Sequence, residues 1–218
     1  MAKIKSVRAM QVLDSRGNPT IKCFVETTDG VACALVPSGA STGTFEAVEL
    51  RDNGKAYKGK SVLKAVSNIE KTIAPKIKGL NACAQEEIDR LMIKLDGTEN
   101  KARLGANAIL AVSLAVARAG ALSEEKELFE YLGELFGNKK FRLPLPMLNI
   151  INGGKHAGFE HDIQEHMIAP ARAKSFAEGL QMSVETYMVL KEKLKKRFGA
   201  SAIALGDEGG FVPPIANT

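Results

Sequence analysis

The stretch "ARLGANAILAVSLAVARAGAL", Ala102 to Leu122, is apolar on nearly every side and rich in small residues. A helix of that make-up has no face to give to water, so it must be enclosed by other elements. Its many Ala and Gly residues let those neighbours approach closely. A chain carrying it has to build layers around it, and 218 residues suffice for one large domain or two modest ones.

The residues before it supply one layer. "KIKSVRAMQVLDS" alternates apolar and polar positions through Ile4, Val7, Ala9, Val12 and Leu13, the period of a half-buried strand. "TIKCFVETTDGVACALVPSG" reads as two further strands joined at Asp29-Gly30, a hairpin signal. About three antiparallel strands are expected. From Lys60 the period becomes helical. Val62, Val66, Ile69 and Ile73 make one seam, with Ser61 as its N-cap and Pro75 as its end. Ile88, Leu91, Met92 and Leu95 make a second, stopped by Gly97. Strands followed by helices predict an α+β domain over residues 1–125.

Residues 126–142 are expected to be a linker, with "GNKKFRLPLP" (Gly137 to Pro146) as boundary, because its two prolines cannot continue a helix. Over 143–218, "MLNIINGG" and "IQEHMIAP" read as short buried strands. A long helix follows, with Phe176, Leu180, Val184, Tyr187, Leu194 and Phe198 on one face. Strand, strand, long helix is the opening of an α/β layer, and a barrel needs several more strands to close.

Cys23, Cys33 and Cys83 are odd in number and form no CxxC, which argues against a disulfide framework or a zinc site and for reduced thiols. The net charge of +5 has its densest basic run in "KEKLKKRF" (Lys191 to Phe198). Glu192, Leu194 and Phe198 interrupt it, so it reads as a solvated helix face with a mild attraction for anions, not as a nucleic-acid stripe. The N-terminus lacks the apolar core of a secretory signal, and no window is expected to reach the length of a membrane span. The expected location is cytoplasmic.

Three stretches set polar groups on glycine-rich or strand-end backbone. "VPSGASTG" (Val36 to Gly43) fits a plain loop or one that approaches an anion or metal. In "NGGKHAGFEHDIQEHMIAP", Gln164-Glu165 interrupts a β pattern, so one of the two can face a site while the other braces it. His156 sits between glycines, and His166 falls on the apolar side of the strand, where packing explains it. In "IALGDEGGFVPP", Asp207 and Glu208 fit a solvated turn or a general acid bent into a cleft by pliable backbone.

Taken together, "DSRGNPT" (Asp14 to Thr20), "VPSGASTG", "EAVELRD" (Glu46 to Asp52), "LDGTENKARLGANAILAVSLAVA" (Leu95 to Ala117), "LPLPMLNIINGGKHA" (Leu143 to Ala157), "IQEHMI" (Ile163 to Ile168) and "GDEGGF" (Gly206 to Phe211) resemble the enolase family, in its order and spacing. The resemblance implies an enolase-type α/β barrel after the α+β domain. It implies reversible dehydration of 2-phospho-D-glycerate to phosphoenolpyruvate with two Mg2+ ions, which stabilise the enolate-like intermediate. It assigns Glu208 as the acid at the leaving hydroxyl and Glu165 as its partner carboxylate. Gln164 and His156 become substrate contacts, and Ser41 a ligand of the second Mg2+ on a mobile loop. It also implies a homodimer or higher homo-oligomer, with no nucleic-acid partner.

His166 and Phe45 depart from the family's usual residues, and "GFEHD" (Gly158 to Asp162) is less typical than its surroundings. The family's lysine base and the carboxylates of its first Mg2+ site have no counterpart in this chain, which looks like the N-terminal half only. The chain alone is therefore expected to be inactive. The competing expectation is a non-catalytic, enolase-derived binding module, although such a module has no need to keep Ser41, His156, Gln164, Glu165 and Glu208 together.

Overall fold

The computed structural model describes residues 2–39, 42–153, 163–206 and 208–214. The chain forms two compact units, Met1–Lys139 and Lys140–Thr218.

In the first unit, the alternating stretch becomes β1 (Ile4–Leu13), followed by β2 (Pro19–Thr27) and β3 (Val31–Leu35). They pair antiparallel in the order β1-β2-β3. The expected hairpin lies between β2 and β3, where the Thr27 N–H donates to the Gly30 carbonyl at 2.8 Å. Gly30 has φ +153°, a backbone conformation that side chains rarely adopt, which calls for glycine.

The helical seams become α1 (Leu63–Asn68), a π-helical turn (Ile69–Ile73), α2 (Ala74–Ile77), α3 (Gln85–Asp96) and α4 (Ala106–Ser123). Two local expectations are corrected. Pro75 does not end the first seam, because the wide π turn ahead of it takes up the missing donor and the ring, and helix continues to Ile77. Ser61 is not the cap; its hydroxyl donates to Gln11 Oε1. The cap comes from Asp52, whose two carboxylate oxygens accept from the N–H groups of Leu63 and Lys64, both at 2.9 Å.

α4 lies against β2 and β3. Eleven of its 18 residues are buried, as a helix without a polar face requires. By length and composition α4 would also pass as a membrane-crossing segment, which the sequence reading did not anticipate; here its apolar surface is spent on the core of this unit. The loop that feeds it is fastened by buried Asp96. One carboxylate oxygen accepts from the N–H and hydroxyl of Thr98, the other from the Leu104 N–H at 2.6 Å. Within 126–142, read from the sequence as a linker, Leu128–Leu135 forms α5, whose Tyr131 is buried against Ala117 and Ala121 of α4.

In the second unit, β4 (Leu148–Asn152) and β5 (Glu165–Ile168) pair antiparallel. α6 (Phe176–Phe198) opens on Ser175, whose hydroxyl accepts from the Glu178 N–H at 3.1 Å. A 3-10 turn, Ala200–Ile203, leads to Phe211, which bridges Ile151 of β4 in parallel and Leu205 antiparallel. The sheet is not closed. Leu194, Ala202 and Phe211 form a small core, while Phe176, Leu180 and Val184 of the expected apolar face stay more than a third exposed. Two strands are too few to cover a helix of 23 residues.

Candidate functional site

β4 is built from "LNIIN", a buried-strand sequence broken by two asparagines three positions apart. Alternation would send residues 149 and 152 to opposite faces. The register prevents this. Asn149 pairs with Met167 and Ile151 with His166, so Ile150 is an extra residue on β4, a bulge. Beyond it Asn152 pairs with Glu165. Side chains of directly opposed residues share a face, so Asn149, Asn152 and Glu165 line the same side of the two-stranded sheet.

Glu208 joins this face from a distant part of the chain. The Asn149 amide donates from Nδ2 to Glu208 Oε2 at 2.8 Å. The backbone after Glu208 is tied as well: the Tyr187 hydroxyl on α6 donates to the Gly209 carbonyl at 2.8 Å. The Tyr187 ring stacks on Phe211, with centroids 4.3 Å apart and 15° between planes. Burial raises the Tyr187 hydroxyl above its ordinary range. A cavity of about 280 Å3 opens here, lined by Leu148, Asn149, Val184, Tyr187, Glu208 and Gly209.

The glycines of "GDEGG" have a different basis from the pliability expected of them. Only Gly209 has a positive φ, +82°. Gly206 and Gly210 instead make room for Asn152, which is 1% exposed; a Cβ at Gly206 would be 3.0 Å from its side chain, and one at Gly210 would overlap it. The turn is thus moulded on β4, and the Asn152 N–H donates to the Phe211 carbonyl at 2.9 Å. Both polar atoms of the Asn152 amide, and Oδ1 of Asn149, are buried without a partner among the described residues. Such atoms mark a place built to take a further polar group.

Among the residues picked from sequence, Glu165 and Glu208 are brought to one strand face, both exposed to solvent. Gln164 is exposed just ahead of β5, and its carbonyl accepts from the Gly153 N–H at 2.8 Å. His166 is half-buried opposite Ile151, on the other face, as a packed residue should be. Ser41, His156, Asp207 and "GFEHD" (158–162) lie outside the described residues. Phe45 is fully exposed. Asn149, Asn152 and Tyr187 escaped sequence reading, although two asparagines inside an apolar strand were a usable signal.

The first unit has its own polar centre. Arg16 donates from Nη2 to the carbonyls of Ser38 and Gly39, at 2.8 and 3.0 Å. Arg51 donates to the carbonyls of Pro19 and Lys60 and pairs with Glu49 at 2.6 Å. Two guanidinium groups thus hold the start of the "SGAST" stretch. The N–H of Asn18, with Arg16 beside it, holds the Asp14 carboxyl below its usual range. Another cavity, about 470 Å3, lies in this unit, bordered by Val36, Ile93, Ile109 and Leu110 and by the polar Ser38, Glu49 and Lys101. It touches neither Glu165 nor Glu208, so size alone does not mark the chemistry.

Comparison with known proteins now adds to this geometry. Residues 4–132 match the enolase N-terminal domain, and residues 140–218 match the enolase C-terminal TIM barrel domain. The chain belongs to the enolase family. It is 58% identical to a protein named enolase from Methanopyrus kandleri, over the whole of this chain and 51% of that one. It is 55% identical to enolases of Methanococcus vannielii and Mastigamoeba balamuthi, over 97% and 99% of this chain and 49% of each relative. The chain therefore spans about half the length of the curated relatives it matches. The second unit is accordingly a partial enolase barrel, which accounts for its open sheet and the exposed face of α6.

Proposed function

We propose that this chain carries part of the machinery of an enolase, which interconverts 2-phospho-D-glycerate with phosphoenolpyruvate and water. The observation that carries the reading is the bond from Asn149 to Glu208 at 2.8 Å, which sets Glu208 against the β4 and β5 face that also carries Glu165, 43 residues earlier in the sequence. In the forward direction a proton leaves the carbon beside the substrate carboxylate, and the hydroxyl on the next carbon departs. Glu208 delivers the proton that turns that hydroxyl into water, and Glu165 lies on the same face as its partner. Gln164, at the head of β5, and His156 are the proposed substrate contacts.

Magnesium dependence, with Ser41 on the second ion, belongs to the complete enzyme in this reading. Among the described residues, no group of three or more His, Cys, Asp and Glu side chains is gathered to hold an ion. The described residues alone do not fit a magnesium cage. The base that takes the first proton is assigned to polypeptide beyond these residues, so the 218-residue chain alone is inactive in this proposal. The unpaired thiols of Cys23, Cys33 and Cys83 support a cytoplasmic setting. The open face of the three-stranded sheet, with Met10, Val31 and Leu35 exposed, supports self-association.

The test is a turnover assay with magnesium. The chain alone is expected to stay at background, and activity well above background overturns the inactivity. Joined to the C-terminal half of a full-length relative, it is expected to convert 2-phosphoglycerate, with Glu208→Gln lowering kcat by about 100-fold or more. An inactive joined protein, correctly folded, would count against the reading.

A further inference from the structure

Glu208 sits on a loop, and a carboxylate on a loop delivers a proton efficiently only where something fixes it. Two side chains do so, from two separate elements. Asn149, on β4, holds the carboxylate through Nδ2 at 2.8 Å. Tyr187, on α6, holds the carbonyl of the next residue at 2.8 Å, and its own ring is fixed by the stack on Phe211. The two anchors act on different atoms, one on the side chain and one on the backbone, so together they restrict both the position of the turn and the rotation of the carboxyl.

The choice of an amide at 149 has chemical content. With Nδ2 given to Glu208, Oδ1 of Asn149 stays buried, with no partner among the described residues. An amide donates to a carboxylate and, after a half-turn about its Cβ–Cγ bond, accepts from a carboxylic acid. It therefore keeps a bond to the acid both before and after the proton is given away. Neither a leucine nor an ionised aspartate of similar size does both.

We infer that Asn149 and Tyr187 are positioning residues for Glu208, holding its carboxyl on the β4 face through the proton transfer. The inference rests on the dehydratase reading given above for the reaction, but not for the contacts.

Two measurements separate the two. In the 218-residue chain, the side-chain NH2 resonances of Asn149 are followed by NMR. They are expected to be slowed in hydrogen exchange, and to shift and lose that protection in Glu208→Leu and in Tyr187→Phe. Resonances indifferent to both substitutions overturn the inference, whatever the protein catalyses. In the chain joined to the C-terminal half of a relative, Asn149→Leu and Asn149→Asp are expected to lower kcat at least about 10-fold, with KM within about twofold. Tyr187→Phe, which keeps the stack, is expected to lower kcat by a smaller factor, and Asn149→Gln to restore part of the loss. Equal losses in Asn149→Gln and Asn149→Leu, or a change confined to KM, overturn it. Absence of turnover in the unsubstituted joined protein strikes the dehydratase reading instead and leaves the NMR result to decide the contacts.

Discussion

Gly210 and Asn152 share a space that admits only one side chain. The asparagine amide, 1% exposed, occupies the position a Cβ on residue 210 would need. The turn bearing Glu208 is therefore shaped from beneath by β4. Gly210→Ala is expected to destabilise the second unit by about 1–3 kcal/mol. Gly54→Ala, where no atom lies within 4 Å of the added carbon and φ is not positive, is expected to be near neutral. Urea denaturation of both variants checks the contrast, and equal midpoints would show that the turn yields freely.

Helix α1 is capped across the chain by Asp52 instead of by Ser61. Asp52→Ala is expected to cost the first unit about 0.5–2 kcal/mol, the range for a lost cap. Ser61→Ala should cost less, because it removes the hydroxyl's contacts with Gln11 and Asp52 but leaves the helix N–H groups satisfied. Thermal unfolding of the two variants gives the order.

Acid should loosen the first unit through two of its hydrogen-bonded carboxylates, Asp52 and Asp96. For Asp52, burial pushes the carboxyl up, but the N–H bonds of Lys64 and Leu63 outweigh it and hold it below its usual range. For Asp96, burial is likewise outweighed, by the bonds from Thr98 and Leu104. Folded values below unfolded ones mean that the unfolded chain takes up these protons first. Their contribution is complete above about pH 4 and is lost as pH falls through the lower folded values. Asp96→Asn should flatten this acid limb, measured as stability against pH.

The three cysteines should react in order of exposure. Burial pushes the Cys23 thiol up to about 12, with no exposed surface, and burial also raises Cys83. Cys33 is exposed on β3. Maleimide labelling followed by peptide mass analysis is expected to modify Cys33 first and Cys23 only on unfolding.

The elements that could be read in the sequence are those whose signal is local and repeated. α4 declared itself because every face is apolar, and β1 to β3 because alternation runs over many residues. Features that depend on one residue at a distance were hidden. The cap from Asp52 lies eleven residues from the helix it serves. The bulge at Ile150 leaves no mark in an apolar–polar pattern, so the common face of Asn149, Asn152 and Glu165 could not be foreseen. Glu208 and Glu165 were legible through family motifs; the groups that hold them were not. Gly206 and Gly210 were legible as glycines, but the reason for them is a partner 54 and 58 positions earlier.

Because β4 carries one residue more than its partner over this span, its register is constrained more tightly than its chemistry. Exchanging Ile150 for another aliphatic group edits a single spot. Smoothing the bulge out with Ile150 still in place would shift Asn152 one step against β5 and turn it to the opposite face, setting an aliphatic neighbour beneath the acid-bearing turn. The floor under Glu208 is thus set by counting residues as much as by choosing them.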